Sequence, residues 1–330
     1  MEQLLFTLNA ILPIILPILL GYGLKRLHFF SEQFLTEANK LVFRILIPIL
    51  LFSNLYLSDL SKINWGFVGY SAGAILALFF IGMIVVLFIP NRKQKGVILQ
   101  AVFRSNYAII GIPLATALGG EDAGQMAAVV AAISVPLFNI LAVVALSIYD
   151  HEEGKKISVK NILFKIITNP LIIGVACGLV VCGINMCINL TGANVKEFLN
   201  SYVKFIPDTI TSLGRVATPL ALIVLGGRFE FKAVKELWKQ ISIAVGLRLV
   251  IAPLLGLLIA YFINMRTSTE FAILISLFAS PIAVSSAPMA AQMGQDEELA
   301  GQIVVWTSAL SALSLFVIIM ICASIGVFTL

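Results

Sequence analysis

Nine residues of this chain have types and spacings suited to holding a small polar molecule inside an apolar protein. Arg104, Asn106, Gly111 and Pro113 lie in one stretch, Asn139 follows Pro136 by three, and Pro281, Ser285, Ser286 and Pro288 lie in another. An arginine two residues before an asparagine sets a fixed positive charge beside an amide. A proline removes one helix donor and frees the carbonyl four residues earlier, so Ile109 and Val284 are expected to present free carbonyls. Such groups recognise a ligand rather than make or break bonds in it. No Asp or Glu falls midway along an apolar stretch, and His28 and His151 sit in polar connections. An intramembrane enzyme would need an H-E-x-x-H helix, a Ser/His pair or paired Asp residues at depth, and none occurs, so no enzyme is expected. No metal site or cofactor is expected either. Cys177, Cys182, Cys187 and Cys322 match no metal or redox spacing and read as small buried hydrophobes.

The elements that must position these residues are apolar helices. Of 330 residues, 60% are hydrophobic and 12% charged, against about 25% charged in a soluble domain. Lipid leaves only helices or closed barrels, and the apolar runs are long and continuous, near the roughly 20 residues a spanning helix needs. Ten helices are predicted, at about 5 to 27, 36 to 57, 66 to 89, 97 to 118 and 124 to 149, then 161 to 184, 206 to 227, 238 to 263, 271 to 292 and 298 to 328. The first is followed, not preceded, by its basic pair Lys25 and Arg26, which fits a retained span better than a cleaved signal. Residues 150 to 160 are charge-dense and read as a cytoplasmic linker between a first half, 1 to 149, and a second, 161 to 330.

Lysine and arginine concentrate on the connections after the first, third, fifth and seventh helices, including Lys25, Arg26, Arg92, Lys93, Lys155, Lys156, Arg228 and Lys232. The opposite connections carry only Lys62, Lys196, Lys204 and Arg266. The basic side is therefore expected in the cytoplasm, with both termini outside. This asymmetry accounts for the net charge of +5 without any role for nucleic acid.

The halves repeat each other at an offset near 175 residues. Pro113 aligns with Pro288, Gly119 with Gly294, Glu121 with Asp296, and Arg44-Ile-Leu-Ile-Pro48 with Arg215-Val-Ala-Thr-Pro219. Five helices per half is an odd number, so the second half enters the membrane from the other side. Inverted repeats belong to alternating-access carriers, whose substrate meets interrupted helices near the bilayer midplane. The interrupted helices expected here are the fourth, through Asn106, Gly111 and Pro113, and the ninth, through Pro281, Ser285, Ser286 and Pro288. Four arginines, Arg44, Arg104, Arg215 and Arg248, fall within predicted helices. Arg44, Arg104 and Arg248 lie close enough to the cytoplasmic ends to snorkel outward. The functional alternative for Arg104 is a positive field at the cytoplasmic mouth that attracts an anion without a direct salt bridge.

The run Arg104-Ser-Asn106-Tyr-Ala-Ile-Ile-Gly111-Ile-Pro113 resembles the fourth-helix signature of the auxin efflux carrier family, within the bile-acid, arsenite and riboflavin transporter-like superfamily. The proline-rich ninth helix and Pro136 to Asn139 fit its bacterial members. The resemblance implies a fold like that of sodium/bile-acid symporters or NhaA, with broken fourth and ninth helices crossing at the centre and moving against a scaffold. It also implies secondary transport of a small organic anion such as malate, malonate or an auxin-like weak acid, with sodium-coupled symport or a channel as alternatives. The partners expected are that anion and membrane lipid, with a homodimer left open, and coupling to sodium or to protons is not decided by the residues.

Overall fold

The computed structural model describes residues 2–57, 65–150, 160, 163–164, 167–189, 203–265 and 267–327. The interior of the expected linker, 151 to 159, lies outside them. Every regular element among the described residues is helical, and five of the helices are long and apolar enough to cross a membrane. Their outer faces present side chains such as Phe80, Phe88, Val216, Val250 and Leu313, the surface a hydrocarbon solvent requires.

In chain order, α1 is Glu2–Arg26. The helix α2 runs through Glu32–Leu41, a π-helical turn Val42–Leu46 and Ile47–Leu57. Next come α3 (Trp65–Val85) and α4 (Arg92–Phe103), then α5 (Ile112–Ile148), entered through a π-turn at Tyr107–Gly111. The second part holds α6 (Pro170–Asn189) and α7 (Phe205–Arg228). It continues with α8, which is Phe231–Gly246, the π-turn Leu247–Ile251 and Ala252–Phe262. It ends with α9 (Ser268–Ala279), α10 (Ser286–Gln292) and α11 (Glu297–Ser324).

Helix ends near the surface are capped by their own sequence. Ser31 accepts from the Phe34 amide at 3.1 Å, Asn91 from Lys93 at 3.0 Å and Asp296 from Leu299 at 2.9 Å, while Thr267 and Glu270 form a reciprocal capping box. Each cap supplies a partner for an amide that the first helical turn leaves unbonded.

The predicted fourth and ninth helices are interrupted, but not at the paired prolines. Pro113 follows the π-turn directly, as the second residue of α5, and Pro288 sits in the first turn of α10, so neither ends a helix. The breaks lie upstream, at 104–106 and 280–285. Ser280 is extended (φ −64°, ψ 148°), the conformation favoured before a proline, so Pro281 is the one that ends α9. The fourth and fifth predicted helices meet not in a loop but at Gly120, whose φ of 77° and ψ of −173° suit only glycine.

By packing, the helices fall into two groups. In one, α1 lies along α7, and α2 lies between α6 and α7; in the other, α5 packs on α9, α4 on α3 and α5, and α8 on α9 and α11. The groups meet chiefly along α1 and α11, with slighter contacts of α5 with α6 and of α10 with α2.

Candidate functional site

The two breaks cross each other. Ser105 and Ile282 form an isolated antiparallel bridge, and the Asn106 amide donates to the Pro281 carbonyl at 2.8 Å. This puts the start of α5 and the approach to α10 side by side in the interior. A backbone freed from its helix finds its bonds in a second freed backbone, which is how irregular chain is tolerated away from water.

Arg104 stands at this crossing and is 1% exposed. It does not snorkel. Its guanidinium donates to Gln100 Oε1 at 2.5 Å, to Asn139 Oδ1 at 2.9 Å and to Ser285 Oγ at 2.7 Å, with Met289 sulfur at 3.1 Å. The Asn139 amide nitrogen is anchored in turn to the Val135 carbonyl at 2.8 Å. No carboxylate is bonded to Arg104 among the described residues, so its charge faces neutral oxygens only. That is a costly arrangement at depth, and one suited to a group that must meet an anion.

Arg104, Asn106, Asn139 and Ser285 all line one cavity of about 60 Å³ between the helix groups. The Asn106 Nδ2 is buried with no hydrogen-bond partner among the described residues. The opposite wall is apolar and comes from the other group: Ile47, Leu50 and Leu51 of α2, and Ala217 and Ala221 of α7 with Thr218 between them. Ala221 also lines a much larger vestibule of about 1010 Å³. Lys25, Arg26, Arg228 and Lys232 stand around that vestibule with Glu32, Glu230, Glu297 and Glu298. Lys25 pairs with Glu32 and Arg228 with Glu297, and Gln302 Nε2 donates to the Glu230 carbonyl at 2.8 Å.

The other five residues singled out in the sequence do not line the small cavity. Gly111 is a contact point: a Cβ there would crowd the Tyr107 ring and lie 3.0 Å from the Ser276 carbonyl of α9. Pro281 contributes its carbonyl to the crossing, and Ser286 Oγ bonds back to the Ala283 carbonyl. Pro288 lines the vestibule, and Pro113 lines neither space. Ile109 borders the cavity. The Val284 carbonyl is not free, because the Ala287 amide donates to it at 3.4 Å as the chain turns into α10. Arg104 therefore lies on the cavity wall, bonded to neighbouring side chains rather than reaching outward.

Two participants were not assigned from the sequence. Gln100, one helical turn before Arg104 on the same face of α4, could have been found from that i, i+4 spacing. Arg248, expected to snorkel, is fully buried behind the crossing and bonds to backbone carbonyls of both interrupted helices. Among the described residues no group of three or more His, Cys, Asp or Glu side chains is placed to hold a metal ion.

Comparison with known proteins points to membrane transport. A family model described as membrane transport protein matches residues 6–319. A protein of Methanothermobacter thermautotrophicus described as an uncharacterized transporter is 25% identical over 313 residues, which span 93% of this chain and 95% of that one.

Proposed function

We propose that this chain, which belongs to the membrane transport protein family of the auxin efflux carriers, is an alternating-access secondary transporter for a small organic anion such as malate, malonate or an auxin-like weak acid. The observation that carries this reading is the buried Arg104, without a carboxylate partner among the described residues, on a cavity whose polar and apolar walls belong to different helix groups. The anion's carboxylate would sit against Arg104, Asn106 and Ser285, and its remainder against Leu50, Leu51 and Ala217. The half-helix starting at Tyr107 adds amides and a positive dipole end on the same wall.

Ten spans in two inverted five-helix repeats fit the grouping. The first two helices of each half make up one group, and the last three make up the other. Connections after the third, fifth and ninth spans lie together: the Asp296 amide donates to the Lys93 carbonyl at 3.2 Å, Gln94 Nε2 donates to Asp296 Oδ2 at 3.0 Å, and Asp150 approaches Gly294. The Arg228–Glu297 pair brings the connection after the seventh span to the same face. This is the lysine- and arginine-rich side, read as cytoplasmic, onto which the vestibule opens. Transport then consists of the crossing group shifting against the α1, α2, α6 and α7 group, which closes the vestibule and exposes the cavity outside.

The test is counterflow of labelled malate into proteoliposomes preloaded with unlabelled malate, with and without a sodium gradient, followed by a panel of weak acids. Saturable counterflow of any member supports a carrier, and its sodium response distinguishes symport from uniport. Non-saturating flux through folded protein would mean a channel, and no flux of any acid would overturn the anion reading.

A further inference from the structure

Arg248 takes no part in the cavity, yet it is among the most deeply buried side chains of the molecule. It projects from the π-turn Leu247–Ile251 of α8, where the wider turn changes the register of the side chains around it. Its Nε donates to the Ser280 carbonyl at 2.8 Å, its Nη2 to the Leu277 carbonyl at 3.1 Å and its Nη1 to the Val102 carbonyl at 3.4 Å. Leu277 and Ser280 belong to the end of α9, and Val102 to the end of α4. The last four carbonyls of a helix have no partner within it, and a helix C-terminus carries about half a unit of negative charge. Two such ends meet here away from water, and one guanidinium answers both. A planar fork of five donors can reach carbonyls on two helices at once, whereas a lysine ammonium acts as a single point of charge.

From these contacts we infer that Arg248 is a positioning residue for the anion site: it clamps the ends of α4 and α9 into one register and so sets the separation of Arg104 and Ser285. The linkage is short on both sides. Val102 lies two residues before Arg104, and Ser280 is followed by Pro281, whose carbonyl holds the Asn106 amide. The 2.7 Å bond from Arg104 to Ser285 spans the same crossing. Without Arg248 the two helix ends lose their shared partner, and the donors facing the anion no longer converge.

The inference rests on the crossing being the anion site, so its test has one readout that needs no substrate. Hydrogen exchange, measured without any anion, follows the segments 102–106 and 277–285 in the wild type, Arg248→Met and Arg248→Lys. The expected result is faster exchange in both segments together for Arg248→Met. Arg248→Lys, which keeps the charge and is the milder change to the fold, should keep one segment near wild type and release the other. In counterflow, Arg248→Met should raise the half-saturating anion concentration tenfold or more with a smaller fall in maximal rate, and Arg248→Lys should lie between it and the wild type. Wild-type exchange in both segments and wild-type half-saturation in folded Arg248→Met would overturn the proposal. If Arg248→Met does not fold, the same two results in Arg248→Lys would do so. A wild-type protein that moves no anion, while its variants show the paired rise in exchange, would refute the transport reading and leave the clamp standing.

Discussion

The two helix groups are held together by different chemistry. In the α1, α2, α6 and α7 group the helices meet at glycines pressed on backbone: Gly226 on the Ile18 carbonyl, Gly21 on the Ile223 carbonyl, Gly174 on the Pro48 carbonyl and Gly214 on Leu50. Small residues let helices approach closely where no hydrophobic force drives them together. The crossing group has such contacts too, with Gly96 on the Ala145 carbonyl and Gly111 near the Ser276 carbonyl, and adds buried polar side chains, Arg104 and Arg248 each spanning more than one helix. A shape-matched group can present a fixed apolar wall, and a polar group can present donors that respond to a ligand. The cavity lies where the two meet, so an anion bound there, as proposed, would touch both kinds of surface. Across the boundary at the vestibule Gly301 lies against Leu225, and Arg228 pairs with Glu297.

The strongest way to break the comparison is to fuse the groups. In a background with Cys177, Cys182, Cys187 and Cys322 replaced by serine or alanine, Leu225→Cys with Gly301→Cys should place two thiols across the boundary. A short bifunctional thiol reagent is expected to abolish counterflow, and a cleavable one to restore it on reduction. Full transport by the bridged protein would mean that the groups do not move apart there. Next in size is Arg104→Met, which removes the charge-assisted bonds to Asn139 and Ser285 and the counter-charge proposed for the anion. Bonds to charged groups are worth about 1.5–3 kcal/mol, so a loss on the order of 100-fold in transport efficiency is expected, with thermal unfolding measured alongside to exclude collapse.

Part of this arrangement was legible in the residues. Continuous apolar runs mark the helices, and Arg104, Asn106, Asn139 and Ser285, chosen by type and spacing, do converge on one cavity. The paired prolines misled because alignment between the halves says which positions correspond, not where a chain leaves its helix. Pro281, outside that pairing, forces Ser280 out of the helix, while Pro113 and Pro288 lie within helical segments. Whether a long arginine reaches outward or folds inward also cannot be read from its distance to a helix end. Arg104 turns inward because Asn139 and Ser285, 35 and 181 residues away, supply oxygens there, and Arg248 because two helix ends need a donor. Nor does the sequence say that Leu50 and Ala217 would supply the wall opposite Arg104.

Smaller in functional effect is Gly226→Ala, which tests the shape-matched group. A Cβ at this position would run into the Ile18 carbonyl, which belongs to backbone and cannot rotate aside, so α1 and α7 must separate. Overpacking of this kind costs about 1–3 kcal/mol. Thermal unfolding in detergent should fall by several degrees, while half-saturation in the surviving folded protein stays near wild type. A raised half-saturation with unchanged unfolding would place Gly226 in anion recognition and contradict the division of labour between the groups.

The smallest effect is expected at the vestibule. The Arg228 and Glu297 side chains are 24% and 40% exposed, and pairs in contact with water contribute roughly 0–1 kcal/mol. Arg228 also donates to Thr36 at 3.0 Å within its own group, so it remains anchored when Glu297 is removed. Glu297→Gln should therefore leave folding unchanged and alter transport by no more than about fivefold, a factor equivalent to that energy. If the pair resists the groups' separation, the change will be a faster maximal rate at unaltered half-saturation, and it will shrink as added salt screens the wild-type pair. A loss of transport as large as that of Arg104→Met would instead mean that Glu297 meets the translocating ion itself, and the polar contribution to transport would then extend from the crossing into the vestibule.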